Sequence, residues 1–204
     1  MVATPVIEEI FELGKETHSF PWEDFWKHSI GTAIMTREIL SMLDLNYEEE
    51  ADYVAGLLHN LGILILAITF PEYFKGIYSS SFKDSDDIIS SEIKNVGWDH
   101  AKIGAYYLWN HHISDEIVDA IHWHNNPEKA KESPKLAAAI QVSDHYMSEL
   151  GFTGLANFPI PRTGTHQQLS GWGILFEEQA DAEEIEAKLG HCANRLEQTL
   201  NGIL

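Results

Sequence analysis

Cysteine, basic side chains and long uninterrupted apolar runs are all scarce in this chain of 204 residues. Cys192 is the single cysteine, so no disulfide bond can form within the chain, which fits a reducing compartment such as the cytoplasm. Thirteen Lys and Arg residues stand against 32 Asp and Glu residues, giving a formal net charge of -19. Because binding to a nucleic acid or to an anionic membrane requires a basic surface, the composition disfavours both kinds of partner.

Neither a signal peptide nor a membrane span is predicted. The N-terminal residues have no basic start and carry acids within their apolar stretch. The most apolar segment, residues 54–70, is interrupted by His59 and Asn60 and is shorter than the roughly 20 residues that a membrane-spanning helix needs. We therefore expect a soluble, cytoplasmic protein in which this segment is a buried core helix.

Apolar residues recur at helical spacing along most of the chain. Pro21 is predicted to open a long helix that presents Phe25 and Leu40 to the core. Residues 152–173 are rich in Gly and Pro and have no period, so we expect a long loop there. No repeat or linker divides the sequence, which predicts one compact all-α, multi-helix domain over residues 1–204.

Several polar side chains interrupt or border the apolar faces of separate predicted helices. An unsatisfied buried polar group costs on the order of 1–3 kcal/mol, so each of them needs a hydrogen bond or a ligand. Taken singly, each is more often a satisfied core residue than a ligand. Taken together, neutral imidazoles and a carboxylate form a set that iron, manganese, zinc or nickel accepts. The candidate metal ligands are His28, His59, Asn60, His100, His124 and Asp144.

Five stretches within residues 25–146 carry a family resemblance: FWKHSIGTA, YVAGLLHNLGILIL, EIKNVGWDHAKIGAYYLW, IVDAIHWHNNPEKA and LAAAIQVSD. In this order and spacing they resemble the HD superfamily of metal-dependent phosphohydrolases. They are most similar to its HDOD branch, the HD-related output domain of bacterial signalling proteins. The resemblance implies an HD-superfamily helical bundle and a site built from the six candidate ligands. HDOD proteins usually carry a further helical region ahead of the first motif, and that region is not recognisable in residues 1–24.

Two positions depart from the superfamily pattern. Asn60 stands where the superfamily has an Asp directly after the His, and Asn125 stands where the family often has a second His. A carboxylate bridges two cations and offsets their charge, whereas a neutral amide offers one metal only a weak carbonyl oxygen. The departures therefore weaken the case for a two-metal hydrolytic site. The single-metal alternative uses His28, His59 and Asp144, with or without a further ligand from His100 or His124.

The first function that fits these features is a regulatory output domain. Such a domain would contact a signalling protein or a small phosphorylated ligand, and its degenerate metal site would be structural or ligand-sensing. Asn60 and Asn125 favour it, as does Ile63, which stands after the HNLG turn where a Lys would be expected. The Gly-Tyr-Pro motif of the cyclic-dinucleotide phosphodiesterase branch does not occur.

Two alternatives remain open from the sequence. One is a working metal-dependent phosphohydrolase that acts on a phosphoester or a nucleotide, with Lys102, Asn125 and Arg162 as candidate ligand-binding residues. The other is a metal-free core in which the histidines only stack and hydrogen-bond. The oligomeric state does not follow from the sequence.

Overall fold

The computed structural model describes residues 20–78, 82, 85–155, 164–176 and 182–203, together with positions 5, 8, 9 and 12. Within these residues the chain forms helices and no strands, which confirms the predicted all-α bundle. The α-helices are α1 (Trp22–Met42), α2 (Ala51–Leu58), α3 (Leu61–Thr69), α4 (Pro71–Tyr78), α5 (Ser85–Val96), α6 (His100–Asn110), α7 (Asp115–Trp123), α8 (Pro134–Glu149), α9 (Ser170–Phe176) and α10 (Ala182–Ile203). Short 3-10 helices cover Glu48–Glu50, Pro127–Lys129 and His166–Gln168.

Helix α8 forms the centre of the bundle. It begins at Pro134, because a proline at the first helical position has no N–H that would be left without a partner. Every residue from Leu136 to His145 is buried, and the helix packs against α1, α7 and α9. A helix that is buried all round is a core helix. Any ionisable group on it, such as Asp144, therefore needs partners inside the protein.

The apolar segment predicted as one helix is in fact two helices, α2 and α3, which are separated by a turn at His59 and Asn60. The segment of residues 51–69 is long and apolar enough to cross a membrane by length and composition. However, 61% of its 18-residue apolar window is buried inside the bundle. The segment therefore packs as the predicted core element. The turn within it leaves His59 fully buried and Asn60 half-buried.

Helices α3 and α6 cross at two glycines. A Cβ atom on Gly62 would overlap with the backbone carbonyl oxygen of His100, and one on Gly104 would lie 3.0 Å from the backbone nitrogen of Gly62. Side chains larger than a hydrogen atom would force the two helices apart. The crossing holds the first turn of α6, and with it His100, next to the turn at His59.

The loop predicted over residues 152–173 is wrong in its C-terminal part. The structure describes residues 152–155 and 164–173 of this range, and it contains the 3-10 helix at His166–Gln168 and the start of α9. Seven residues are too few to reveal a helical period, so these elements depend on contacts with the rest of the bundle. Arg162 lies outside the described residues.

Two sets of hydrogen bonds attach this segment to the bundle. The ring nitrogens of His166 lie 2.6 Å from the Glu149 carboxylate at the end of α8 and 2.6 Å from the Glu186 carboxylate of α10. The backbone N–H of Gly171 donates to Oε1 of Gln141 over 2.8 Å. Helix α8 therefore contacts the segment at two points, through Glu149 at its C-terminal end and through Gln141 near its middle.

We expect Gly62→Ala to lower the free energy of unfolding by at least about 2 kcal/mol, because the new methyl group meets backbone rather than a mobile side chain. The matched control is Gly190→Ala in α10, where an added Cβ meets nothing within 4 Å. That substitution should be neutral or stabilise the protein by up to about 1 kcal/mol, the difference in helix propensity. Urea denaturation of both variants measures the contrast, and equal stabilities would contradict the close crossing of α3 and α6.

Candidate metal centre

Three candidate ligands from three helical elements meet at one point. His28 lies on α1, His59 follows the last residue of α2, and Asp144 lies on α8. The Nε2 atoms of the two histidines are 3.3 Å apart, and Oδ1 of Asp144 is 3.1 Å from the Nε2 of His28 and 3.7 Å from that of His59. The exposed fractions of the three residues are 1%, 0% and 8%. Their ligand atoms all lie within 4.8 Å of one another, so a single metal ion can contact all three.

The backbone fixes which nitrogen of each imidazole faces this point. Nδ1 of His28 lies 2.8 Å from the carbonyl oxygen of Phe152, and Nδ1 of His59 lies 2.8 Å from that of Gly56. Because a carbonyl oxygen can only accept, each Nδ1 must carry the proton. Each Nε2 then offers a lone pair toward the shared point, which is how a second partner usually orients a metal-bound histidine.

The donor set fits a divalent transition metal. Two neutral imidazoles and one carboxylate suit iron, manganese, zinc or nickel and leave further coordination positions open. Burial lowers the pKa of His59, and the hydrogen bond and charge of Asp144 offset this only in part. The neutral, metal-binding form of His59 is therefore favoured at neutral pH. Lone pairs that converge this closely require a positive charge among them, and a proton or a metal ion supplies it.

Asn60 lies at the edge of this group, with its Nδ2 atom 3.4 Å from Nε2 of His28. The contact is long for a hydrogen bond. Because an amide carries no charge, Asn60 adds none to the site. Asp144 is the one carboxylate among the three ligands that approach each other. One negative charge is better matched to one divalent cation than to two.

His124 extends the row of imidazoles beyond His59. The centroids of these two rings are 5.4 Å apart, and Nδ1 of His124 donates to the carbonyl oxygen of Ile121 over 2.7 Å. Burial lowers the pKa of His124 well below its usual value, and the neighbouring rings of His59 and His100 lower it further. The amide of Asn125 lies 3.1 Å from Nε2 of His124 and donates to it. The predicted ligand-binding residue Asn125 is thus a hydrogen-bond partner of a predicted metal ligand.

His100 completes the row, with its ring centroid 5.9 Å from that of His124. The carboxylate of Glu92 accepts from its Nδ1 over 2.8 Å and from its backbone N–H over 2.9 Å. Burial lowers the pKa of His100, but the charge and the hydrogen bond of Glu92 outweigh this effect, so the pKa is raised overall. A raised pKa favours the protonated ring, which suits contact with an anion better than coordination of a metal.

The partners of the site that were not predicted from the sequence are two side chains, Glu92 and Gln141, and the backbone carbonyl groups of Gly56, Phe152 and Ile121. Glu92 is 2% exposed and lies one turn after the buried Ile88, so an acid on the apolar face of α5 was the available signal. Gln141 donates to the carbonyl oxygen of Asn125 over 3.0 Å and is polar within a buried run of α8. A backbone carbonyl such as that of Phe152 leaves no signal in a sequence.

Two other predicted ligand-binding residues are not placed among these side chains. The ammonium group of Lys102 lies 4.4 Å from the ring centroid of Trp98 on the surface of α6, a cation–π contact. Its backbone N–H donates to the capping carboxylate of Asp99. Among the described interactions, none joins Lys102 to the four histidines. Arg162 falls in the part of the chain that the structure does not describe.

Comparison with known proteins identifies relatives of this fold. The family model for the HDOD domain matches residues 1–127, a range that contains every candidate ligand except Asp144. No curated protein gave a match. Among solved structures, an HDOD domain protein with unknown function from Geobacter sulfurreducens has 19% sequence identity and a TM-score of 0.71; the alignment covers 97% of this chain and 67% of that one.

Two further structures share the fold. A candidate signal transduction protein from Marinobacter aquaeolei VT8 has 24% identity and a TM-score of 0.69, over 90% of this chain and 39% of that one. A candidate phosphohydrolase from Shewanella amazonensis SB2B has 22% identity and a TM-score of 0.62, over 89% of this chain and 61% of that one. The chain therefore spans about two fifths and three fifths of the lengths of these two proteins.

We expect nitrogen-15 NMR of the metal-free protein at neutral pH to find His59 and His124 as neutral rings protonated at Nδ1. Their lowered pKa values and their carbonyl partners require this tautomer. His112, which is exposed, serves as the control and should give the averaged signals of a solvated ring. A proton on Nε2 of His59 would contradict the assignment, because Nε2 would then be unable to bind a metal.

Proposed function

Because this chain belongs to the HDOD family, we propose that it is a regulatory output domain of a bacterial signalling system. It holds one divalent metal ion, iron, manganese, zinc or nickel, as a structural or ligand-sensing centre. The observation that carries this proposal is the convergence of two imidazole Nε2 atoms and one carboxylate, with the amide of Asn60 beside them in place of an acid. The donors for one metal are present, whereas the acid that would bridge a second is missing.

The residues divide into two roles. His28, His59 and Asp144 hold the metal, and the carboxylate of Asp144 offsets part of its charge. The carbonyl groups of Phe152 and Gly56 keep the two rings in the binding tautomer. A bound metal would supply a positive charge that polarises an oxygen ligand.

Two features favour a sensing or structural centre over a hydrolytic one. The metal-binding histidines are almost fully buried, and the Asp144 side chain is 11% exposed, so little of the triad faces solvent. The amide of Asn125 donates a hydrogen bond to Nε2 of His124, so this nitrogen is not available as a ligand for a second metal. Hydrolysis of a phosphodiester requires that the substrate reach the metal. In two-metal enzymes it also requires that the metal ions stabilise both the attacking and the leaving oxygen.

The alternative is a phosphohydrolase that acts on a phosphoester or a nucleotide. Glu92 favours it, because this buried carboxylate raises the pKa of His100 and so favours the cationic form of one ring in the row of imidazoles, where a phosphate would bind. In that role His100 would bind and orient the anion, while the triad would hold the metal.

A metal-free core is the third possibility. The amides of Asn60 and Asn125 each lie within 3.4 Å of an imidazole Nε2 and can satisfy it without a metal. The converging lone pairs of His28 and His59 weigh against this reading, since one long contact from Asn60 does not balance them.

The setting that we propose is the cytoplasm, with a signalling protein or a small phosphorylated ligand as the partner. The net charge of -19 supports a partner that is neither a nucleic acid nor an anionic membrane surface. A phosphorylated ligand would bind locally, through the metal and a protonated His100, against the overall charge of the chain.

We expect freshly purified wild-type protein to carry close to a single transition metal ion per chain and to have no phosphodiesterase activity above background. Asp144→Asn should lose the metal, since the triad loses its charge, whereas His191→Ala on the exposed face of α10 should keep it. Asn60→Asp should raise the metal content, because it restores the bridging acid. Elemental analysis and a generic phosphodiester assay measure these outcomes.

Chelation separates the remaining alternatives. Removal of a metal present at a hundredfold excess over its Kd should lower the free energy of unfolding by about 2.7 kcal/mol. An unchanged thermal midpoint in metal-free wild type would support the metal-free core. Turnover of the phosphodiester by wild-type protein would instead support the phosphohydrolase.

A further inference from the structure

The turn at residues 151–155, directly after α8, covers the ring of His28. We infer that this turn is a positioning element of the metal centre and that Gly154 is the positioning residue for the His28 imidazole. The inference rests on the proposed metal binding. In this role the backbone of Gly154, a residue without a side chain, keeps the ring of His28 in place.

The end of α8 reverses the chain toward His28. The backbone N–H of Gly151 donates to the carbonyl oxygen of Ser148, and that of Phe152 donates to the carbonyl oxygen of Met147 over 3.0 Å. Gly151 has a φ of 90°, the left-handed conformation that commonly ends a helix. As a result the carbonyl group of Phe152 points back into the bundle and accepts the Nδ1 proton of His28 over 2.8 Å.

Gly154 lies against the imidazole itself. An added Cβ at this position would stand 3.1 Å from Cγ of His28 and 3.2 Å from both its Cβ and its Cδ2 atoms. Two of these contacts are to ring atoms and the third is to the Cβ that carries the ring, so a methyl group at position 154 would push the His28 side chain out of its place. Gly154 also has a φ of 77°, which L side chains rarely adopt. The buried Leu155 anchors the turn to the core.

Residues 144–154 therefore contain one proposed metal ligand, Asp144, and the residue that lies against another, His28. Asp144 lies on α8, and ten residues later Gly154 touches the ring of His28. A displacement of the turn would rotate His28 relative to Asp144, and Nε2 of His28 would leave its position 3.1 Å from the carboxylate. Partners of metal ligands that act in this indirect way typically change metal affinity roughly 10- to 100-fold when they are altered.

The chain offers a matched control for the test. Gly97, which follows α5 and lies outside this turn, also has a positive φ of 94°, but an added Cβ there meets nothing within 4 Å. Gly97→Ala and Gly154→Ala thus carry a similar backbone strain, and only the second disturbs His28. We expect Gly154→Ala to bind Zn²⁺ roughly 10- to 100-fold more weakly than wild type in a competition titration with a chromophoric chelator. Gly97→Ala should match the wild-type affinity while losing a similar amount of thermal stability.

The nitrogen-15 signals of His28 in the metal-free proteins give a second readout. They should shift in Gly154→Ala and stay unchanged in Gly97→Ala. Equal Zn²⁺ affinities of the two variants, with unchanged His28 signals, would overturn the positioning role. Failure of wild type to bind Zn²⁺ would contradict the proposed metal centre instead, and the His28 signals alone would then decide whether the turn positions the ring. Should Gly154→Ala fail to fold, Thr153→Ala, which removes the hydrogen bond to the carbonyl of Leu155, should weaken Zn²⁺ binding by a smaller factor.

Discussion

The Nε2 atoms of His28 and His59 meet 3.3 Å apart, beside the carboxylate of Asp144. Lone pairs at this distance repel one another, and burial removes the water that would screen them. Without a cation, the arrangement is unfavourable on its own and persists only because the surrounding structure imposes it. That structure consists of helices brought into close contact at glycines and of backbone carbonyls that hold each ring from behind. The bundle is therefore organised around this one electrostatic constraint.

Helix α8 imposes most of the constraint. It carries Asp144, it bonds through Gln141 to the carbonyl of Asn125, and it ends in the turn that holds His28. Gln141 also accepts the backbone N–H of Gly171, so the first turn of α9 and the turn after His124 share one buried side chain. Gln141 lies on the same helix as Asp144, so α8 joins the centre to α9 through the hydrogen bond between Gln141 and Gly171. Such a connection is what a domain needs if a metal or ligand is to alter its surface.

The convergence of His28, His59 and Asp144 was predictable, because they are polar residues on otherwise apolar helical faces. Buried polar residues of this kind need polar partners inside the protein. The tautomer of each ring was not predictable, since it depends on carbonyl groups whose positions follow from the fold. Glu92 shares a buried helix face with Ile88 and was visible in principle, but nothing in its local sequence pairs it with His100. The elements within residues 164–176 escaped prediction for the opposite reason: their order comes from His166 and Gly171 contacting distant helices.

The two asparagines allow the row of imidazoles to keep its geometry without an acid at position 60. An aspartate at position 60 would place a second negative charge beside Asp144, and this pair would repel unless two cations bound. The amide removes that requirement and turns an N–H toward His28, while Asn125 makes the equivalent contact to His124. Hydrogen bonds then replace part of the electrostatic role of a second metal, and the row of imidazoles keeps its geometry. If the centre holds one metal ion, as we propose, the single carboxylate of Asp144 matches its charge better than it would match the charge of two.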